Sequence, residues 1–96
     1  MQLDLVLNLI RKNNRTLQRM GVETLAVFGA TARGEAKPGS DVDLLVTFTG
    51  SPTYDQYIET KFFLEDLLGC KVDLVPRDGL KPILRAVVEE EAIYVA

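Results

Sequence analysis

The sequence predicts an α/β chain of the α+β kind, a small mixed β-sheet packed with helices. Three observations predict it. Short apolar runs bounded by glycine or proline occur at residues 24–28, 42–48 and 71–75, the mark of buried strands. Segments with apolar residues near a 3.6-residue period flank them at 3–20, at 52–68 and from Pro82 onward, the mark of amphipathic helices. The resulting order of helix, strand, loop, strand, helix, strand and helix suits one layer of sheet covered by helices.

Each element has its own justification. Leu3, Val6, Leu7, Ile10 and Leu17 define the first helix, which Asn13 and Asn14 weaken in the middle and Gly21 ends. Thr24 to Phe28 is short, apolar and partly β-branched, and it stops at Gly29. Residues 31–40 contain Gly34, Pro38 and Gly39, so beyond a short helical turn they read as loop. The clearest strand is 42–48, with Val42, Leu44, Val46 and Phe48 on one face and Asp41, Asp43, Leu45 and Thr47 on the other. Ser51 followed by Pro52 reads as an N-cap and a first-turn proline. The helix they open carries Tyr54, Ile58, Phe62, Leu64, Leu67 and Leu68. Its aromatic residues Tyr54, Tyr57, Phe62 and Phe63 read as core and partner-facing packing rather than a stacking platform for bases. Residues 71–75 form a strand between Gly69 and Pro76. Ile83, Leu84, Val87 and Val88 define the last helix, and residues 92–95 are either a short edge strand or a packed tail. Glu89, Glu90 and Glu91 read as a solvated helix end whose charges oppose the helix dipole, and Cys70 as a small buried hydrophobe.

Length and composition bound the function. Ninety-six residues are expected to make one domain, 1–96, whose substrate pocket is shallow or completed by another chain or copy. A formal net charge of -3 disfavours a direct nucleic-acid partner, which needs a basic face. One cysteine cannot form an internal disulfide, which suits a reducing compartment and gives the cytoplasm as the expected location. No apolar stretch approaches the roughly 18 residues that span a bilayer, so no membrane role is expected. Histidine is absent, which removes the usual general base and the common zinc sites.

Chemistry must therefore run on other groups, and the carboxylates are suggestively placed. Asp41 and Asp43 stand two apart on a strand, on one side and about 7 Å apart. Magnesium prefers oxygen ligands and is commonly held by one or two carboxylates together with substrate phosphates. Asp73 interrupts the apolar run from Val72 to Val75, and if that strand pairs beside 42–48 a third acid joins the site. Clustered carboxylates repel unless a cation compensates them, and two metals can stabilise the attacking and leaving oxygens of a phosphoryl or nucleotidyl transfer. The third acid would then receive the proton of an attacking hydroxyl. Just upstream, Gly29 ends a buried strand where backbone amides can approach a phosphate, and Arg33 adds a planar donor. Taken singly, each feature also has a plainer reading, as a solvated strand end, a turn glycine or a surface arginine.

The run from Phe28 to Val46 resembles the DNA polymerase beta-like nucleotidyltransferase superfamily, in its minimal branch. It is similar to that family's glycine-serine loop, arginine-glycine pair and serine-aspartate-x-aspartate-leucine strand, here Gly29-Ala30, Arg33-Gly34 and Ser40-Asp41-Val42-Asp43-Leu44. The stretch Gly69 to Val75 resembles the strand that supplies the third carboxylate. The resemblance implies two Mg2+ ions at Asp41, Asp43 and Asp73, with Gly29, Ala30, Arg33 and Ser40 at the nucleotide. It implies transfer of a nucleoside monophosphate, usually AMP from ATP, to an acceptor. It further implies an antitoxin that adenylylates a HEPN-domain toxin. The family's loop serine is Ala30 here; losing one hydrogen bond to a charged group slows a reaction by roughly tenfold to a hundredfold. That departure supports an alternative, a binding antitoxin with weak or no catalysis that masks its toxin sterically. A transferase acting on a small molecule such as an aminoglycoside is a third reading, disfavoured by the short chain.

Overall fold

β1 (Val22–Phe28) and β2 (Val42–Phe48) form the centre of the sheet, in a computed structural model that describes residues 1–95. They pair antiparallel, with Val27 opposite Leu44 and Phe28 opposite Asp43. β3 (Val72–Pro76) adds to β2 in parallel, and the short β4 (Ile93–Tyr94) adds antiparallel to β1, so the strand order is β3-β2-β1-β4. The mixed sheet expected from sequence is thus present, and the 92–95 segment resolves as an edge strand.

The helices are α1 (Leu3–Lys12), α2 (Asn14–Arg19), α3 (Gly29–Ala32), α4 (Tyr54–Leu68) and α5 (Pro82–Glu91). The single first helix of the sequence reading is two helices broken at Asn13, whose side-chain amide donates to the Leu9 carbonyl at 2.8 Å. Asparagine offers the backbone a local alternative to the helical ladder. The start of α4 also differs from expectation. Thr53, not Ser51, is the N-cap, its hydroxyl accepting from the Gln56 amide at 3.0 Å, and Pro52 lies outside the helix. Gly69 closes α4 in a left-handed conformation with φ of 69°, which glycine adopts at no steric cost.

One face of the sheet carries the core. Val42, Leu44, Val46 and Phe48 of β2 join Leu25 and Val27 of β1 and Val72 and Leu74 of β3. Val6, Leu7, Ile10, Leu17, Leu64 and Leu68 cover them from α1, α2 and α4. Each such side chain contributes about 1.5–3 kcal/mol when fully buried. The other face is covered in places too, since Ala26 and Leu45 are buried. Of the aromatic residues of α4, Tyr57 and Phe63 pack against the core, whereas Tyr54 is 76% exposed and Phe62 56% exposed, because they project from the side of α4 that the sheet does not reach. Cys70 is only partly buried. No helix is long and apolar enough to cross a membrane among the described residues.

Candidate active site

Two of the three acids are brought side by side because β2 and β3 are parallel and in register. Asp43 and Asp73 are direct partners across the two strands, which run about 4.8 Å apart. Asp41 immediately precedes β2, and the Val42 amide bonds to the Lys71 carbonyl at 3.0 Å, tying the starts of the two strands together. Asp41 and Asp73 are exposed and Asp43 is half-buried, so the cluster opens to solvent.

Gly29 stands against this cluster. It has φ of 70°, and a Cβ built there would lie 2.1 Å from Asp43 Oδ2. Any side chain would therefore both strain the backbone and displace the Asp43 carboxylate. Burial pushes the Asp43 carboxyl above its ordinary value, and the charges of Asp73 and Asp41 push in the same direction. A cation beside it would favour its charged form.

The residues present fit a hard divalent cation in chemistry: carboxylates only, with no histidine and no cysteine thiolate beside them. They do not form a preformed cage, since among the described residues no group of three acids, histidines or cysteines converges closely enough to enclose an ion. Magnesium in general keeps several waters and is held by one or two carboxylates with substrate phosphates, so it does not require such a cage.

The glycine turn is arranged differently from the sequence expectation. Its amide is already occupied: Gly29 N–H donates to Glu91 Oε1 at 2.9 Å. The same carboxylate, through Oε2, accepts from Arg33 Nη1 at 2.9 Å. Arg33 also reaches Glu35 at 3.2 Å across an exposed surface. The Gly29 hydrogen bond, together with Arg33, holds Glu91 below the usual carboxylate range. Ser40 turns into its own loop, its hydroxyl accepting from the Lys37 amide at 3.3 Å. Ala30 is partly exposed between buried Gly29 and buried Thr31. A cavity of about 320 Å³ lies beyond the loop, lined by Met1 to Asp4 together with Thr31, Gly34 and Ala36; none of the three aspartates lines it.

Glu91 is the residue that sequence reasoning missed. The acidic run at the end of α5 is not simply solvated: Glu89 pairs with Arg77 and Glu91 with Arg33. The available signal was three acids at a helix C-terminus, where the dipole disfavours them.

This architecture is that of the minimal nucleotidyltransferases. A solved structure assigned to that group superposes with a TM-score of 0.83 at 42% identity, covering 97% of this chain and 95% of that one. The chain belongs to the nucleotidyltransferase domain family, whose model matches residues 7–95. A protein adenylyltransferase of Thermococcus cleftensis, MntA, is 46% identical over 78 residues, spanning 81% of this chain and 79% of its own length. Two further structures share the fold at low identity. A toxin–antitoxin with AMP-PNP has a TM-score of 0.71 at 20% identity, covering 100% of this chain and 73% of that one. A Shewanella oneidensis complex of tri-AMPylated HEPN toxin with MNT antitoxin has 0.69 at 18%, with 99% and 72% covered.

Proposed function

We propose that this chain is a magnesium-dependent adenylyltransferase that transfers AMP from ATP to a protein acceptor, as the antitoxin of a pair whose toxin is a HEPN-domain protein. The observation that carries this reading is the direct pairing of Asp43 with Asp73 on parallel strands, with Asp41 two residues before Asp43. The relatives named as adenylyltransferases support the acceptor class, and the fold shared with toxin–antitoxin structures supports the partner. We take residues 1–96 as one catalytic domain working in the cytoplasm.

In this mechanism Asp41, Asp43 and Asp73 hold Mg2+, which when bound supplies charge stabilisation to the oxygens that enter and leave phosphorus. Arg33 draws the triphosphate to the loop that holds Gly29, Ala30 and Ser40, the residues assigned to the nucleotide. Asp73, exposed at the edge of the cluster, takes the proton of an attacking tyrosine hydroxyl. That oxygen forms a bond to the α-phosphorus, the bond from the α-phosphorus to the bridging oxygen breaks, and pyrophosphate departs with the electron pair.

Incubation with labelled ATP, magnesium and a HEPN-domain protein from the same genome tests the reading. Label is expected on the partner; a folded chain that binds its partner and transfers no label would defeat catalysis. Ala30 favours a second reading, a binding antitoxin that masks its toxin. Under that reading, wild type, Ala30→Ser and a variant with asparagine in place of Asp41 and Asp43 neutralise the toxin equally.

A further inference from the structure

Glu91 has a more specific task than ending a helix. It lies 62 residues from Gly29 in the chain, yet its two carboxylate oxygens are divided between the Gly29 amide and Arg33 Nη1, each at 2.9 Å. α3 has only four residues, and its N-cap, Phe28, supplies no capping side chain. The Glu91 carboxylate supplies that missing acceptor from a distance. Gly29 is also the residue that touches Asp43, so one carboxylate restrains both the neighbour of an acid and the guanidinium four residues later.

α5 packs on α3 and β1 without a fully buried residue, and besides Glu91 its side-chain ties to the rest of the chain are Glu89 with Arg77 and Tyr94 and Arg85 with the Leu80 carbonyl. Without Glu91, Arg33 would keep only its exposed pair with Glu35, a kind of contact that holds a side chain weakly. A guanidinium has five N–H donors, so engagement by Glu91 and Glu35 fixes its plane and still leaves donors for phosphate oxygens.

We propose that Glu91 is a positioning residue for the nucleotide, acting through Gly29 and Arg33: it fixes the loop and the guanidinium in the arrangement that the triphosphate meets. The proposal rests on the nucleotidyl-transfer reading above. Because Glu91 touches no reacting atom, its loss acts on nucleotide binding before it acts on turnover. A preorganised donor pair binds with less ordering cost than a mobile one.

The test uses the full chain with Glu91→Ala and Glu91→Gln, each also in an Arg33→Ala background. Glu91→Ala is expected to raise the ATP dissociation constant and KM about tenfold, the loss of one charge-assisted hydrogen bond, with kcat changed less than about threefold. Glu91→Gln, which keeps one acceptor oxygen, falls between Ala and wild type. In the Arg33→Ala background the added effect of Glu91→Ala shrinks below about threefold, because the two residues act as a unit. The Gly29 amide resonance and its hydrogen exchange supply a readout that needs no nucleotide, and Glu91→Ala is expected to shift the first and speed the second. Unchanged or tighter ATP binding, or equal losses in both backgrounds, overturns the proposal; tighter binding would mean that Glu91 obstructs the phosphates. If wild type binds no ATP while the Gly29 amide still responds to Glu91→Ala, nucleotide transfer itself fails and Glu91 is a cap alone. If ATP is bound and only label transfer is missing, the positioning role stands and catalysis fails.

Discussion

α4 and α5 both begin with proper signals and both carry several apolar residues, yet they are held in opposite ways. α4 is capped by Thr53 and closed by Gly69, and it buries Thr60, Leu64 and Leu68 against the sheet. α5 starts at Pro82 and has no fully buried residue, only half-buried ones such as Arg85 and Val88; Ile83, Leu84 and Val87 are 76%, 51% and 60% exposed, and the carboxylates of its C-terminal turn are tied to Arg77, Arg33 and the Gly29 amide. The difference teaches which helix builds the scaffold and which one reports on the site. Hydrophobic burial makes α4 part of the cooperative core, whereas polar tethers leave α5 to open at lower cost.

Breaking that comparison should give effects of very different size. Leu64, fully buried, is the first target: Leu64→Ala is expected to destabilise the fold by about 2–5 kcal/mol, read from the denaturation midpoint. Val87→Ala on exposed α5 is expected to change stability by less than about 0.5 kcal/mol. A comparable loss at both positions would mean that α5 belongs to the core after all.

The next effect is kinetic and sharpens the view of the loop. Ala30→Ser restores a hydroxyl at the partly exposed position after Gly29, and turnover is expected to rise by roughly tenfold to a hundredfold with stability unchanged. An unaltered rate would show that the hydroxyl has no nucleotide contact to make in this chain.

The smallest effect concerns pH. The folded-state pKa of Glu91 is depressed, first by the Gly29 hydrogen bond and then by Arg33. A depressed carboxylate contributes stability that is present above its unfolded pKa and is lost as pH falls through the folded one. Acidification below the ordinary glutamate range should therefore loosen α5 before the core, seen as faster amide exchange in residues 82–91 of α5. Glu89, held down by Arg77, titrates in the same direction on the same helix, so Glu91→Gln should remove part of this step and Glu91→Gln with Glu89→Gln the rest; a step left unchanged by Glu91→Gln would assign it to Glu89 alone.

Most of the scaffold was legible in the sequence because its signals are local. The alternation from Val42 to Phe48, the glycines after Phe28 and Leu68, and Pro82 at a helix start each act within a few residues. The acid pair and Asp73 were legible because a charge inside an apolar strand is rarely neutral in meaning. The break at Asn13 and the cap at Thr53 were not, since Asn13–Asn14 and Ser51–Pro52 are each compatible with more than one local arrangement. Glu91 was least legible: its partners lie in another part of the chain, and only the topology that sets β4 against β1 brings the end of α5 to Gly29.

The central claim is that Asp41, Asp43 and Asp73 form one nucleotidyl-transfer site. The most direct measurement is transfer of label from ATP to the partner protein by wild type and by the Asp41→Asn, Asp43→Asn double variant, with magnesium present and folding checked by circular dichroism. Because Asp41 is exposed and Asp43 half-buried among like charges, the variant is expected to fold as well as wild type and to lose transfer by about a thousandfold or more. Undiminished labelling by the folded variant would contradict the account.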